Sequence, residues 1–211
     1  MNRLEIDVYS DFVCPWCFIG SRRLEAGLQS VGETQILMRY RPYMLYPNVP
    51  SDGIDLRASL SQRYGQDPQR LFEPVEAAGR QSGIPLDFSK VTRVYSTVDA
   101  HTLVRHAHPK GTQSGLAEEI FAAYFLEGQN IADRNVLVQI AVRHGFTQTE
   151  AHAILDDQAE RLRTRDEADR VAKSGVRSVP LYVINGRERV SGAQSPSVFT
   201  RAIERTLPSL A

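Results

Sequence analysis

Cysteine occurs only twice in these 211 residues, at Cys14 and Cys17, and the pair stands as Cys-Pro-Trp-Cys directly behind an alternating segment. Leu4, Ile6 and Val8 alternate with Glu5, Asp7 and Tyr9, the period of a strand with one face on a core, so a first strand is expected to end near Ser10. A helix is expected over about residues 15–30, since Cys17, Leu24, Leu28 and Val31 share one face, Pro15 suits the first helical position and Gly32 supplies a stop. A Cys-x-x-Cys at a strand-to-helix junction is a redox motif in its expected context. Unpaired backbone N–H groups and the positive end of the helix dipole favour an anion there, so Cys14 is expected to have a lowered thiol pKa and to be the attacking thiolate. Cys17, one turn on and facing inward, is expected to resolve a mixed disulfide on Cys14.

Two plainer accounts of the cysteines are weaker. A zinc site usually needs four ligands, and the chain holds no second cysteine pair. Two inert structural thiols have no need of this spacing at a helix mouth. Nor can two cysteines form a disulfide framework.

Beyond the motif, residues 35–40 alternate again and read as a second strand, parallel to the first across the helix, which completes a βαβ unit. Pro42, Pro47 and Pro50 then break the chain and helical spacing takes over. Leu116, Ile120, Phe121, Tyr124 and Phe125 form one apolar stripe, and Val136, Leu137, Ile140, Ala141 and His144 another. Residues 69–82, 96–107 and 150–173 are further helical candidates. Strand character returns at residues 180–184 and 188–191 around Asn185-Gly186, a strong signal for an antiparallel hairpin. Ser195-Pro196 offers an N-cap and a first-turn proline for a last helix stopped by Pro208. The order is βαβ, a helical block, then ββα: an α/β fold in which the two ends share one sheet, because neither end has enough strands to stand alone.

Composition narrows the function. Lys+Arg and Asp+Glu number 25 each, so the cationic excess that phosphate binders need is missing, and nucleic acid or an anionic membrane surface is an unexpected partner. The longest apolar run, residues 120–126, falls far short of the roughly 18 residues of a membrane span. The first residues lack a basic head followed by an apolar stretch, so cytoplasmic localisation is the default expectation.

YSDFVCPWCFIG near the start and VPLYVINGRERVSGAQ near the end together resemble the DsbA family of thioredoxin-fold oxidoreductases. The FrnE-like branch is the nearest match, through RPYMLYP, AYFLEGQNIAD and VSGAQ, so the resemblance spans nearly the whole chain. It implies a thioredoxin-like domain built from residues 1–45 and 173–211, with an all-helical insertion domain over residues 46–172. It also implies a cis peptide at Val179-Pro180 facing the dithiol, with Val179 and Pro180 contacting substrate main chain beside Trp16. The plainer account of Pro180, an edge-strand proline at the first residue of a strand, is the weaker one.

Where related sequences often have glycine, this chain has Ser178. The family's better-known periplasmic members carry a histidine between the cysteines and a buried acid six positions before the first; here those positions are Trp16 and Val8. An indole supplies no charge to a thiolate, so the redox poise is expected between roughly −270 and −120 mV, the values of a reducing thioredoxin and an oxidising DsbA.

Asp11, three residues before Cys14, is a candidate proton relay to Cys17, against the commoner roles of a solvated loop acid or a helix-start anion. His101, His106 and His108 do not share a helical face, so no metal is expected and they read as surface or helix-end residues. Tyr43, Tyr46, Phe121, Tyr124 and Phe125 border a substrate groove or belong to the core, the core being the commoner fate.

The expected activity is thiol–disulfide exchange on protein or small thiol/disulfide substrates, by a monomer or homodimer, with no cofactor beyond the Cys14/Cys17 couple and with glutathione as a possible co-substrate. Glutathione-dependent chemistry of the hydroxychromene-carboxylate isomerase or kappa transferase type is the alternative; those relatives use a hydroxyl where Cys14 stands. A non-enzymatic alternative is a polypeptide-binding holdase with the thiols as a latch.

Overall fold

A computed structural model describes residues 2–29, 31, 34–50 and 52–207. Strand β1 (Asn2–Ser10) lies inside a four-stranded sheet of order β2-β1-β5-β6, with β2 at Thr34–Pro42, β5 at Leu181–Ile184 and β6 at Glu188–Ser191. Its alternation does what a half-buried strand requires: Leu4, Ile6, Val8 and Ser10 are buried while Arg3 and Glu5 reach solvent. β2 runs parallel to β1, pairing Val8 with Tyr40, and β5 runs antiparallel on the other side, pairing Val8 with Tyr182. Residues more than 130 positions apart in the chain are thus joined through one strand. The β5–β6 hairpin leaves three residues between the paired Ile184 and Glu188; Asn185 (φ 47°) and Gly186 (φ 68°) are both left-handed, and the Arg187 amide donates to the Ile184 carbonyl at 3.0 Å.

Helix α1 (Pro15–Leu28) crosses between β1 and β2 and buries Cys17, Phe18, Ile19, Leu24 and Leu28. It stops two residues earlier than its apolar face suggested; Ser30 and the expected stop at Gly32 lie outside the described residues. The last helix, α9 (Pro196–Glu204), packs on α1 at very short range. A β-carbon on Gly27 would stand 2.9 Å from Phe199 Cβ, and Thr200 donates its hydroxyl to the Gly27 carbonyl. Ser195 does not cap this helix with its side chain as expected; its hydroxyl meets that of Ser197 at 3.1 Å, and the fixed φ of Pro196 starts the first turn. The expected stop at Pro208 is outside the described residues.

Between β2 and β5 the chain forms α2 (Leu56–Tyr64), α3 (Pro68–Gln81), α4 (Val98–Ala107), α5 (Gln113–Phe125), α6 (Arg134–Arg143), α7 (Gln148–Asp156) and α8 (Gln158–Lys173). One detail departs from an all-helical insertion: β3 (Ile54–Asp55) and β4 (Arg93–Val94) pair antiparallel and hold the start of α2 in place. The continuous helix expected over residues 150–173 is two helices. Asp157 leaves the helical region (φ −72°, ψ 105°) and accepts from the Ala159 amide, capping α8 where α7 ends.

The helical block shares a core with the sheet. Phe18 of α1 stacks on Phe121 and Phe125 of α5, and Phe12 packs on Phe121 at 5.0 Å between ring centroids. α4, α5 and α8 also touch β2. Inside the block, the hydroxyls of Thr102 and Thr164 meet at 2.9 Å and tie α4 to α8. Large aromatic truncations in such a core cost about 3–5 kcal/mol, so the two parts of the chain stabilise each other.

Candidate active site

β1 delivers the chain to Asp11, and a turn closed by Cys14 N–H donating to the Asp11 carbonyl (3.0 Å) sets the cysteine at the mouth of α1. Cys14 is extended (φ −97°, ψ 111°) and is the N-cap residue, with Pro15 in the first turn. Its carbonyl accepts from the amides of Cys17 and Phe18, so the cap wraps the motif. Both cysteines are free thiols, and both are buried.

They differ in what surrounds them. Cys14 lines a groove of about 420 Å³ whose wall is mostly apolar, together with Val13, Pro15, Trp16 and Val179. Cys17 is absent from that lining and sits behind it. Burial pushes the Cys17 thiol well above the ordinary cysteine range; contact with the Cys14 sulfur adds to this, while the Ser10 hydroxyl and the Asp11 backbone offset part of it. The inner thiol is therefore held neutral until a partner sulfur arrives.

Opposite the motif, the Val179–Pro180 peptide is cis, and the Cys14 sulfur lies 3.8 Å from the Val179 carbonyl oxygen, at the limit of a weak S–H contact. Pro180 is buried and Val179 half-buried, so this loop closes one side of the groove. Trp16, at 38% exposure, stands on its rim. The loop and the helix are in close register: Gly20 of α1 leaves space that the Tyr182 hydroxyl and Pro180 fill, and a β-carbon there would lie 2.2 Å from Tyr182 Oη. That hydroxyl is buried and finds no hydrogen-bond partner among the described residues, and burial raises its pKa far above the ordinary range for tyrosine, with the nearby Cys17 adding to the effect.

Asp11 is not a solvated loop acid. It is 1% exposed, its Oδ2 accepts from the Leu45 amide at 2.7 Å, and its Oδ1 faces His101 Nε2 at 3.4 Å. The Asp11 backbone, rather than its carboxylate, meets the Cys17 thiol. His101 is likewise not a surface residue: it is 4% exposed and packs at a tilt against Phe12, 4.6 Å between ring centroids, because α4 turns this face into the core. His106 instead meets Glu160 at 2.8 Å on a half-open face. Among the described residues no group of three or more His, Cys, Asp or Glu side chains is placed to hold a metal ion.

Of the aromatic residues picked from the sequence, Tyr46, Tyr124 and Phe125 line the groove; Phe121 is wholly core, and Tyr43 packs on a separate apolar cluster with Val171, Val176 and Leu181. The pattern missed most of the far wall: Leu60, Arg63 and Tyr64 of α2, and Arg177 before the cis-proline loop. α2 itself went unrecognised, although Asp55 caps it by accepting from Ala58 N (2.7 Å) and Gly65 ends it in the left-handed region (φ 66°). That Asp-to-Gly bracket was its only local signal, since α2 buries just Leu56 and shows little apolar periodicity.

Among families of known proteins, the DSBA-like thioredoxin domain matches residues 5–204. The chain is 27% identical over 207 residues to the uncharacterized protein YwbO of Bacillus subtilis, covering 95% of this chain and 96% of that one. The structure is similar to that of a probable DsbA oxidoreductase from Streptomyces coelicolor, with 26% identity and a TM-score of 0.83 over 96% of this chain and 89% of the other. It shares its fold with the cytosolic disulfide reductase DsbM from Pseudomonas aeruginosa with GSH, at 18% identity and a TM-score of 0.66, covering 95% and 98%. No helix among the described residues is long and apolar enough to cross a membrane.

Proposed function

As the chain belongs to the DSBA-like thioredoxin domain family, we propose that it is a thiol–disulfide oxidoreductase of the FrnE-like branch, working through Cys14 and Cys17 on protein disulfides in the cytoplasm. The observation that carries this reading is the unequal setting of the two sulfurs. Cys14 stands on the groove wall at a helix N-terminus, whose unpaired amides favour negative charge, whereas Cys17 lies behind it in the core.

In the reducing direction, the Cys14 thiolate attacks a substrate disulfide. A Cys14–substrate mixed disulfide forms and one substrate sulfur leaves as a thiolate. Cys17 then gives up its proton and attacks the Cys14 sulfur, releasing the second substrate thiolate and closing the Cys14–Cys17 disulfide. Two electrons pass from protein to substrate, and the reverse sequence donates a disulfide. Val179 offers main-chain groups beside Cys14, which suits an extended polypeptide whose side chains are read loosely. Trp16, partly exposed, lines the same groove as Cys14.

Insulin reduction coupled to a reduced thiol pool tests the proposal. Wild type is expected to turn over, Cys14→Ser to be inert, and Cys17→Ser to accumulate a mixed disulfide visible by mass. Equal inertness of wild type and Cys14→Ser overturns it. Ligation of glutathione by a protein that shows no dithiol turnover would favour the glutathione-dependent alternative.

A further inference from the structure

We propose that the groove beside Cys14 selects polypeptide disulfides in which an acidic residue and an apolar residue flank the cysteine, with Arg63 and Arg177 as the residues that read the charge. This rests on the exchange activity proposed above and names its substrate class. No acidic side chain is among the groove's described lining residues, although Asp and Glu make up 25 residues of the chain. Its interior wall is apolar, with Leu45, Leu56, Leu60, Phe72 and Val75 contributing.

The two cations reach the groove from different elements. Arg63 comes from the last turn of α2, and Arg177 lies two residues before Val179 on the cis-proline loop. Both are exposed, and neither has an ion-pair partner among the described residues. Several other arginines are engaged, Arg22 with Glu118, Arg105 with Glu160 and Arg161 with Asp99, whereas Arg187, like the two groove cations, has no ion-pair partner among the described residues. Arg63 rests over the rings of Tyr46 and Tyr64, each 5.7 Å from ring centroid to guanidinium carbon. A cation–π contact of this kind holds the guanidinium beside the two rings without using its N–H donors, which stay available to a carboxylate. In an extended substrate pairing with Val179 the two residues that flank the cysteine share one side, so an apolar and an acidic neighbour meet the apolar wall and an arginine together.

The test uses the full-length reduced protein and two synthetic peptides that differ only by Glu or Gln beside the disulfide cysteine, with leucine on the other side. Cys14 attacks, Cys17 resolves, and the second-order rate of peptide reduction is read in a single turnover for each peptide. Wild type is expected to reduce the Glu peptide faster. The Glu/Gln rate ratio is expected to fall about threefold in Arg63→Met or Arg177→Met and about tenfold in the double variant, and to shrink with added salt, since an exposed pairing is modest and screened. Methionine keeps the apolar stem, and circular dichroism checks the fold. Arg187→Met, at the far end of the β5–β6 hairpin, is the control for overall charge.

Equal rates for the two peptides in wild type overturn the charge selection alone. So does a ratio that survives in the double variant, or one that falls equally in Arg187→Met. Glutathione disulfide forms a separate arm: if only its rate responds to the arginines, the occupant is a small thiol and the polypeptide assignment fails. If no disulfide oxidises the reduced protein, the exchange activity itself fails, and this proposal with it.

Discussion

The Asp11 carboxylate faces the His101 ring at 3.4 Å in the core, joining the turn that carries Cys14 to helix α4. The two groups meet without the alignment of a hydrogen bond, while the other carboxylate oxygen takes the Leu45 amide at 2.7 Å. Three segments distant in sequence thus meet at one acid.

Replacing Asp11 by alanine removes the acceptor of the part-buried Leu45 amide and the acid that faces the buried His101 ring. A loss of about 1–3 kcal/mol is expected in urea unfolding, and a smaller one for Asp11→Asn, which keeps an acceptor for Leu45. Because the carboxylate is turned to Leu45 and His101, Asp11→Asn is expected to leave the pH profile of exchange unchanged. A flattened profile in that variant would instead reveal a proton relay through Asp11 to Cys17.

Gly20 is where α1 meets the cis-proline loop. Gly20→Ala puts a methyl 2.2 Å from Tyr182 Oη and 3.1 Å from Pro180 Cγ, so helix and loop must separate. We expect about 1–3 kcal/mol of destabilisation by chemical denaturation together with slower exchange, since the separation displaces Cys14 from Val179. Gly20→Ala in the Tyr182→Phe background removes the clashing oxygen and should recover part of both losses; no recovery would disprove this packing account.

Stability is expected to fall in alkali. Burial raises the pKa of Cys17, and also of Tyr40, Tyr124 and Tyr182, so all four hold protons in the folded state that the unfolded chain releases. A raised folded pKa gives stability that is complete below the unfolded value and lost as pH climbs towards the folded one. The decline therefore begins near pH 9 from Cys17, at about 1.4 kcal/mol per pH unit, and steepens above about pH 10 as the tyrosines join. Urea midpoints measured against pH check this, and Cys17→Ala should remove the earlier part of the slope.

The redox poise follows from what stands between the cysteines. Trp16 brings no charge to the Cys14 sulfur, and the position six residues before it is the buried Val8. Equilibration with glutathione, followed through the emission of this sole tryptophan, is expected to give a potential between roughly −270 and −120 mV. A value at the oxidising extreme would mean that a charge other than a motif histidine stabilises the thiolate.

The primary structure determined the local pieces on its own. Alternation in Leu4–Ile6–Val8, the Asn185-Gly186 turn, the Pro15 and Pro196 helix starts and the Cys-x-x-Cys spacing each act within a few residues, where backbone preference and side-chain period decide the outcome. From these alone the parallel β1–β2 pair, the antiparallel hairpin and the inward-facing Cys17 could be read. What only the tertiary structure decided was everything that depends on distant segments meeting. β5 pairs with β1 and brings Val179 to Cys14; α4 turns His101 inward on to Asp11; and α2, with little apolar pattern of its own, supplies Arg63 to the groove. Those contacts arise because burying one shared core fixes which faces close on each other, and that choice belongs to the whole chain rather than to any window of it.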